Sequence, residues 1–185
     1  NGIDFGKLED WIDNLSSSSS QASVRETCLR ILDCHTSTAE RVPILDSCFS
    51  DLFRETGEPT SILDLACGLN PFSLPWMGVS PEMSYFAWDV DKRLISATND
   101  FFIRTGRPPT AEVRDVLASP LNLRVDVVFL LKSLPCLEQQ EKGFGSRLLR
   151  EANARYAVIS FPARSIGGKD KGMVRHYERF MEKMA

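Results

Sequence analysis

The sequence predicts an α/β fold: a mostly parallel sheet with helices on both faces, preceded by helices. Three observations predict it. From Ser61 onward, short apolar runs of strand length alternate with stretches of helical period. Ahead of them, residues 23–57 carry helical patterning alone. And 185 residues, 43% of them hydrophobic, are enough for one domain with its own core but too few for two of full size.

Residues 1–22 read as an acidic, serine-rich tail or linker. Asp4, Glu9, Asp10 and Asp13 stand against Lys7 alone, and Ser16 to Ser20 form a low-complexity run. Helical patterning begins near Ser23 with Val24, Cys28, Ile31 and Leu32, and pauses at His35-Thr36-Ser37. Val42, Leu45, Phe49, Leu52 and Phe53 then mark one face of a second helix. Ser37 and Glu40 have the S-x-x-E spacing of a capping box for it. Pro43 allows a start a few residues later. Residues 23–57 therefore form the N-terminal helices and 58–185 the sheet domain. Strands are expected at 61–66, 84–88, 111–113, 125–131 and 156–161, and helices at 71–77, 92–104, 138–152 and 171–184.

Charge and composition exclude several classes. A net charge of -3 means that any nucleic-acid role needs a local basic patch. No apolar run approaches the ~20 residues of a membrane span, and no signal-peptide pattern is visible. Cys28, Cys34, Cys48, Cys67 and Cys136 are scattered without a C-x-x-C pair, and His35 and His176 are the two histidines. This set reads as reduced thiols of a cytoplasmic protein, with no metal site.

In open α/β sheets, ligands sit beyond the carboxyl ends of the strands, so the segment after each strand carries the functional reading. After the first comes Asp64-Leu65-Ala66-Cys67-Gly68-Leu69-Asn70-Pro71. It has neither G-x-G-x-x-G nor a phosphate-binding G-K-[ST]. Small Ala66, permissive Gly68 and left-handed-tolerant Asn70 alternate after a carboxylate instead. This resembles motif I of class I S-adenosylmethionine (SAM) methyltransferases, D-x-G-x-G-x-G. After the second strand, Asp89 either accepts ribose hydroxyls or, like Asp91, caps the next helix. After the third, Asp115 with Val116 either meets an adenine ring or is a solvated turn. After the fourth, Lys132 follows Leu131 and either points at the reactive end of the cofactor or snorkels to water.

Four segments carry a closer resemblance. They are His35-Thr36-Ser37-Thr38-Ala39-Glu40-Arg41, the loop from Asp64 to Pro71, Leu131-Lys132-Ser133-Leu134-Pro135-Cys136-Leu137-Glu138, and Ser160-Phe161-Pro162-Ala163-Arg164-Ser165-Ile166-Gly167-Gly168-Lys169 followed by Lys171-Gly172-Met173. Together, in this order, they resemble the aminoglycoside-resistance 16S rRNA methyltransferases of the Arm/Rmt/Sgm type. The resemblance implies a class I methyltransferase, Rossmann-like fold. It implies SAM as cofactor, S-adenosylhomocysteine as product, and the small ribosomal subunit as partner. The reaction it implies is methylation of guanine N7 in the decoding region of 16S rRNA, which confers aminoglycoside resistance. Arg41 would pair with the SAM carboxylate. Ala66, Gly68 and Asn70 would lie along its methionine part, Asp89 on its ribose, Asp115 and Val116 at its adenine, and Leu131 and Lys132 beside its sulfonium. Asp64, Cys67 and Val90 complete the cofactor set, and Lys132 is the candidate positioning residue for catalysis. Phe161 would meet a displaced base, and Arg164, Lys169 and Lys171 the RNA phosphates.

Set against that family, residues 1–22 stand where a helical ribosome-docking domain is expected, and the family's last strands are expected to be lacking. On the residues alone, a methyltransferase of a small molecule or protein, or a SAM-binding module without activity, stays open. Guanine N7 carries a free lone pair near neutral pH, so its methylation needs no general base; the scarcity of His/Asp or Cys/His pairs fits that chemistry.

Overall fold

In a computed structural model, residues 2–162 and 173–184 are described. The centre is a five-stranded sheet in the order β3-β2-β1-β4-β5. The strands are β1 (Ser61–Leu65), β2 (Ser84–Asp89), β3 (Ala111–Val113), β4 (Val125–Leu131) and β5 (Ala154–Ser160). Every pairing is parallel. The chain steps outward from β1 through β2 to β3, then crosses back to β4. The strand order therefore reverses between β1 and β4, and a crevice opens at their carboxyl ends.

Period-two alternation divides the side chains between two cores. Ile62, Tyr85, Ala87, Val127 and Phe129 pack on one face. Leu63, Leu65, Trp88, Val128 and Leu130 pack on the other. The first face is covered by α1 (Phe5–Asp13), α2 (Gln21–Asp33), α4 (Leu45–Thr56) and α6 (Lys92–Arg104). The second is covered by α7 (Leu134–Gln140) and α8 (Phe144–Glu151). Short α3 (Thr36–Ala39) and α5 (Leu74–Met77) join these elements, and α9 (Met173–Met184) closes the described chain. No described helix is long and apolar enough to cross a membrane.

The expected tail at 1–22 is corrected by the structure. Leu8, Ile12 and Leu15 are buried in the first core. Their spacing is a helical face, and acidic composition concealed it. Two of the acids, Glu9 and Asp13, meet arginines of α6. Arg104 donates to the Asp13 carboxylate and to the carbonyls of Asp13 and Leu15, the latter two at 3.0 Å. Arg93 pairs with Glu9 at 3.5 Å and lies over the Phe5 ring. The serines are turn and cap residues: Ser16 N donates to Ser19 Oγ at 2.9 Å, and the Ser20 side chain accepts from Ser23 N to open α2.

Other boundaries differ as well. The Ser37–Glu40 capping box does not form: His35 caps α3 by accepting from Ser37 N, and Glu40 turns to Lys132. A 3-10 turn, Val42–Ile44, holds Pro43 near its start, and α4 begins only at Leu45. The helix expected at 138–152 is two helices. Gly143 breaks it at φ 86°, and the Glu138 carboxylate accepts from the N–H groups of Gly143 and Gly145. The strand expected at 61–66 ends one residue earlier and that at 84–88 one residue later, while β5 begins two residues earlier and ends one earlier than expected.

Because α1 belongs to the core, Leu8→Ala should lower the unfolding free energy by about 2–4 kcal/mol. Urea denaturation measures this; a change near zero would restore the tail reading.

Candidate functional site

The site begins where β1 stops. Ala66 and Gly68 both adopt left-handed backbone, at φ 48° and 52°. This bends the chain sharply from the strand into the 3-10 turn Asn70–Ser73. Gly68 takes that geometry freely, whereas Ala66 does so under strain. Lys132, directly after β4, is the other non-glycine residue with positive φ (64°) among those described. Both strained residues flank the crevice, where stored strain is most often found.

Cross-strand bonds hold the loop. Cys67 N donates to Trp88 O at 3.0 Å, tying it to the end of β2. Gly68 N donates to one oxygen of Asp89 and Asp91 N to the other, each at 3.0 Å. Asp89 is half-buried, and Asp91 caps α6 by accepting from the N–H groups of Arg93 and Leu94. The Cys67 side chain is in the core and burial pushes its thiol well up, so its backbone alone faces the loop.

Behind the loop lies a buried polar chain. Asp64 shares the face of Ile62 and is 1% exposed. Its Oδ2 accepts from Asn70 Nδ2 at 2.9 Å and from the Tyr85 hydroxyl at 2.6 Å. The other end of the Asn70 amide, Oδ1, accepts from Arg41 at 2.7 Å. Arg41 enters from the segment between α3 and α4, 29 residues upstream. Its Nε is buried without a partner, as is Asp64 Oδ1. Burial pushes the Asp64 carboxyl up to about 7, against the lowering effects of Tyr85, Asn70 and Arg41. Burial also lowers the pKa of Arg41 from its ordinary value, while Asp64 opposes it.

Across the crevice, Lys132 donates to Glu40 at 2.5 Å. A cleft of about 470 Å³ is lined by Glu40, Arg41, Ile44, Cys48, Lys132, Ser160 and Phe161. That is within the ~300–1,000 Å³ usual for small-molecule pockets. The Phe161 ring stacks on Tyr177 of α9 at 4.2 Å. The hydroxyls of Ser133 and Ser160 are buried without partners.

The sequence-derived candidates are thus distributed unevenly. Arg41, Asp64, Ala66, Gly68, Asn70, Asp89, Leu131 and Lys132 lie around the β1–β4 crevice or the loop beside it. Val90 and Asp115 lie farther out, both exposed, and the Asp115 side chain accepts from Leu117 N. Val116 is buried in the second core. Arg164, Lys169 and Lys171 lie outside the described residues. Sequence reasoning missed Tyr85 and the site position of Glu40. It also missed Arg114, whose guanidinium lies 4.3 Å from the Trp88 ring centroid.

The Asp64 carboxyl has a testable linkage. Its pKa rises from 3.8 to about 7 on folding, so the folded chain holds the extra proton between those values. The associated stability is present below about pH 4 and lost as pH rises to about 7. Asp64→Asn cannot ionise. Between pH 4 and 7 it should gain on the wild type by an amount on the order of a few kcal/mol. Urea titrations of both proteins across that window measure it; parallel pH profiles would refute it.

The chain is similar to known proteins along nearly its whole length. Residues 6–185 match the family model described as ribosomal RNA methyltransferase (FmrO). It is 41% identical over 156 residues to a protein of Micromonospora rosea named 16S rRNA (guanine(1405)-N(7))-methyltransferase, covering 84% of this chain and 57% of that protein. A protein of the same name from Micromonospora echinospora is 37% identical over 181 residues, covering 98% and 66%. The chain thus spans between about half and two thirds of these relatives' length. Among solved structures, the 16S rRNA methyltransferase RmtF in complex with S-adenosyl-L-homocysteine superposes with a TM-score of 0.78 at 29% identity, covering 96% of this chain and 67% of that one. The 16S rRNA methylase ArmA gives 0.72 at 28%, covering 98% and 87%. With the family model matched from Phe5's neighbour Gly6 to the last residue, and with the crevice built as described, this chain belongs to the FmrO family of ribosomal RNA methyltransferases.

Proposed function

We propose that this chain is the methyl-donor-binding and catalytic part of an enzyme that methylates guanine N7 in the decoding region of 16S rRNA. SAM is the donor and S-adenosylhomocysteine the product. The partner is the small ribosomal subunit, met in the cytoplasm, and the consequence is aminoglycoside resistance. The observation that carries the reading is the buried, unpartnered Nε of Arg41 beside a left-handed loop at the switch point. A buried guanidinium edge lacking an acceptor suits a ligand carboxylate.

The residues fit such a donor from end to end. Asn70 occupies one nitrogen of Arg41 and leaves the Nε edge for the methionine carboxylate. The turn from Ala66 to Gly68 has no large side chain to keep the ligand from its backbone. Asp89, already steadied by Gly68 N and Asp91 N, retains acceptor capacity for ribose hydroxyls. Val90 and Asp115 offer an apolar surface and an acceptor for adenine, and Val116 supports them from the core. Asp64 and Cys67 shape the loop from beneath.

The donor supplies an electrophilic methyl group. The chain's task is alignment and exclusion of water, which can contribute roughly 7–11 kcal/mol of barrier lowering. As the carbon–sulfur bond breaks and the carbon–N7 bond forms, positive charge passes from sulfur to the guanine ring, and no proton moves. An unpaired ammonium there would oppose both states. Lys132 is paired with Glu40, which removes that repulsion and marks it as a positioning residue. Phe161, stacked on one side by Tyr177, presents a ring for a displaced base, and Arg164, Lys169 and Lys171 supply phosphate contacts.

Calorimetric titration with SAM tests the donor site. Arg41→Ala should weaken binding by about tenfold or more, the ~1.4 kcal/mol or greater expected of a lost charged bond. Unchanged affinity would remove Arg41 from the site. Incubation of isolated small subunits with radiolabelled SAM tests the acceptor. Label should appear as 7-methylguanine in 16S rRNA. Label on another class of molecule would replace the rRNA reading.

A further inference from the structure

Arg41 cannot aim itself. It reaches the crevice from an irregular segment, and its anchor in the site is the Oδ1 of Asn70. An amide has two unlike ends, and the useful orientation depends on what faces the other one. Turned over, Asn70 would oppose its NH2 group to the guanidinium, donor against donor. The Asp64 carboxylate prevents this by requiring a donor, and Nδ2 supplies it at 2.9 Å. Asp64 itself has only one partnered oxygen and is sealed from water, so its own placement depends on the second donor it receives.

That donor is Tyr85. Its hydroxyl gives its single proton to Asp64 Oδ2 at 2.6 Å and accepts from Asn70 Nδ2 at 3.2 Å. It is therefore the group that touches both members of the pair and closes them into a triangle. The ring is closely packed. Tyr85 is 3% exposed, its edge meets the Phe102 ring at 6.0 Å and 76°, and its carbonyl accepts from the Thr110 hydroxyl. Burial and then the Asp64 charge keep the phenol protonated, well above its ordinary range. Among the described residues, Arg41, Asp89, Cys67 and Arg107 are other titratable groups acting on Asp64 or Tyr85, and none supplies a direct bond to Asp64.

We propose that Tyr85 is a positioning residue for the methyl donor: its hydroxyl sets the Asn70 amide and thereby aims the free edge of Arg41. Asp64 belongs to the same device and acts through Asn70 rather than by touching the donor. The inference rests on the reading that Arg41 holds the donor carboxylate.

Tyr85→Phe keeps the ring and deletes the hydroxyl. It should weaken SAM binding about fivefold to tenfold in calorimetric titration, the scale of one net hydrogen bond. Phe102→Leu loosens the same ring pocket without touching the hydroxyl. It should lower the melting temperature yet keep the wild-type affinity. Wild-type affinity in Tyr85→Phe, or an equal loss in Phe102→Leu, would overturn the proposal. A second readout needs no ligand: 15N relaxation of the Arg41 Nε–H. Greater mobility in Tyr85→Phe than in wild type supports the role, and unchanged mobility rejects it. If the wild type binds no SAM, the donor reading fails, while the relaxation experiment still decides what Tyr85 does.

Discussion

The constraint on which the rest depends is a carboxylate buried at the end of the central strand. Asp64 sits between β2 and β4 in the sheet, 1% exposed. Burying an ionisable group is expensive unless polar partners are brought to it. The partners come from three distant places: Tyr85 from β2, Asn70 from the turn after β1, and Arg41, through Asn70, from the N-terminal helices. Tyr85 lies on the sheet face that Asp64 shares with Ile62, which follows from the two-residue period of the strands. The arrangement leaves one carboxylate oxygen and one guanidinium nitrogen without partners. The fold therefore carries an incomplete polar cluster at the place where parallel sheets bind ligands.

This explains why the N-terminal helices are part of the site rather than an accessory. Arg41 and Glu40 reach across to Asn70 and Lys132, joining the helical segment to the ends of β1 and β4. That segment is held by α2, whose Arg25 donates to Pro75 O at 2.9 Å, and by the core shared with α1. Leu8 and Ile12 thus support the crevice from far away, by fixing the layer from which Arg41 emerges. Under the proposed function, stability and donor recognition are linked through that packing.

Much of the fold was legible because buried parallel strands and amphipathic helices write their periods into the chain. α6 was readable over its whole length, since Leu94, Ala97, Phe101 and Phe102 form one apolar stripe. α1 was not, because its apolar residues are few and its acids resemble those of a disordered tail until Arg93 and Arg104 are placed opposite them. The capping box failed for a related reason: Glu40 had a better partner, 92 residues away. At the site, Asp64, Gly68 and Asn70 were visible as a local motif. Arg41 was visible only through family resemblance. Tyr85 was hidden inside an apolar strand, and its role depends on the register that sets Tyr85 beside Ile62, one face-sharing step from Asp64. Local motifs reveal residues that bend the chain; partners across the sheet require three-dimensional pairing.

Under the proposed function, the site needs no general base. A methyl transfer to a free lone pair moves a positive charge a short distance and releases no proton. What such a site must control is the charge already near the reaction. Lys132 lines the cleft, held at φ 64° and only 12% exposed at its side chain. A strained backbone and a partly buried ammonium are both costly, and both are offset where Glu40 closes the pair. The pair spans the cleft between the helical segment and β4, so opening it would leave the ammonium unneutralised. Under the proposed function, the same contact that neutralises Lys132 also fixes the width of the cleft, and substrate geometry and local electrostatics are set by one interaction.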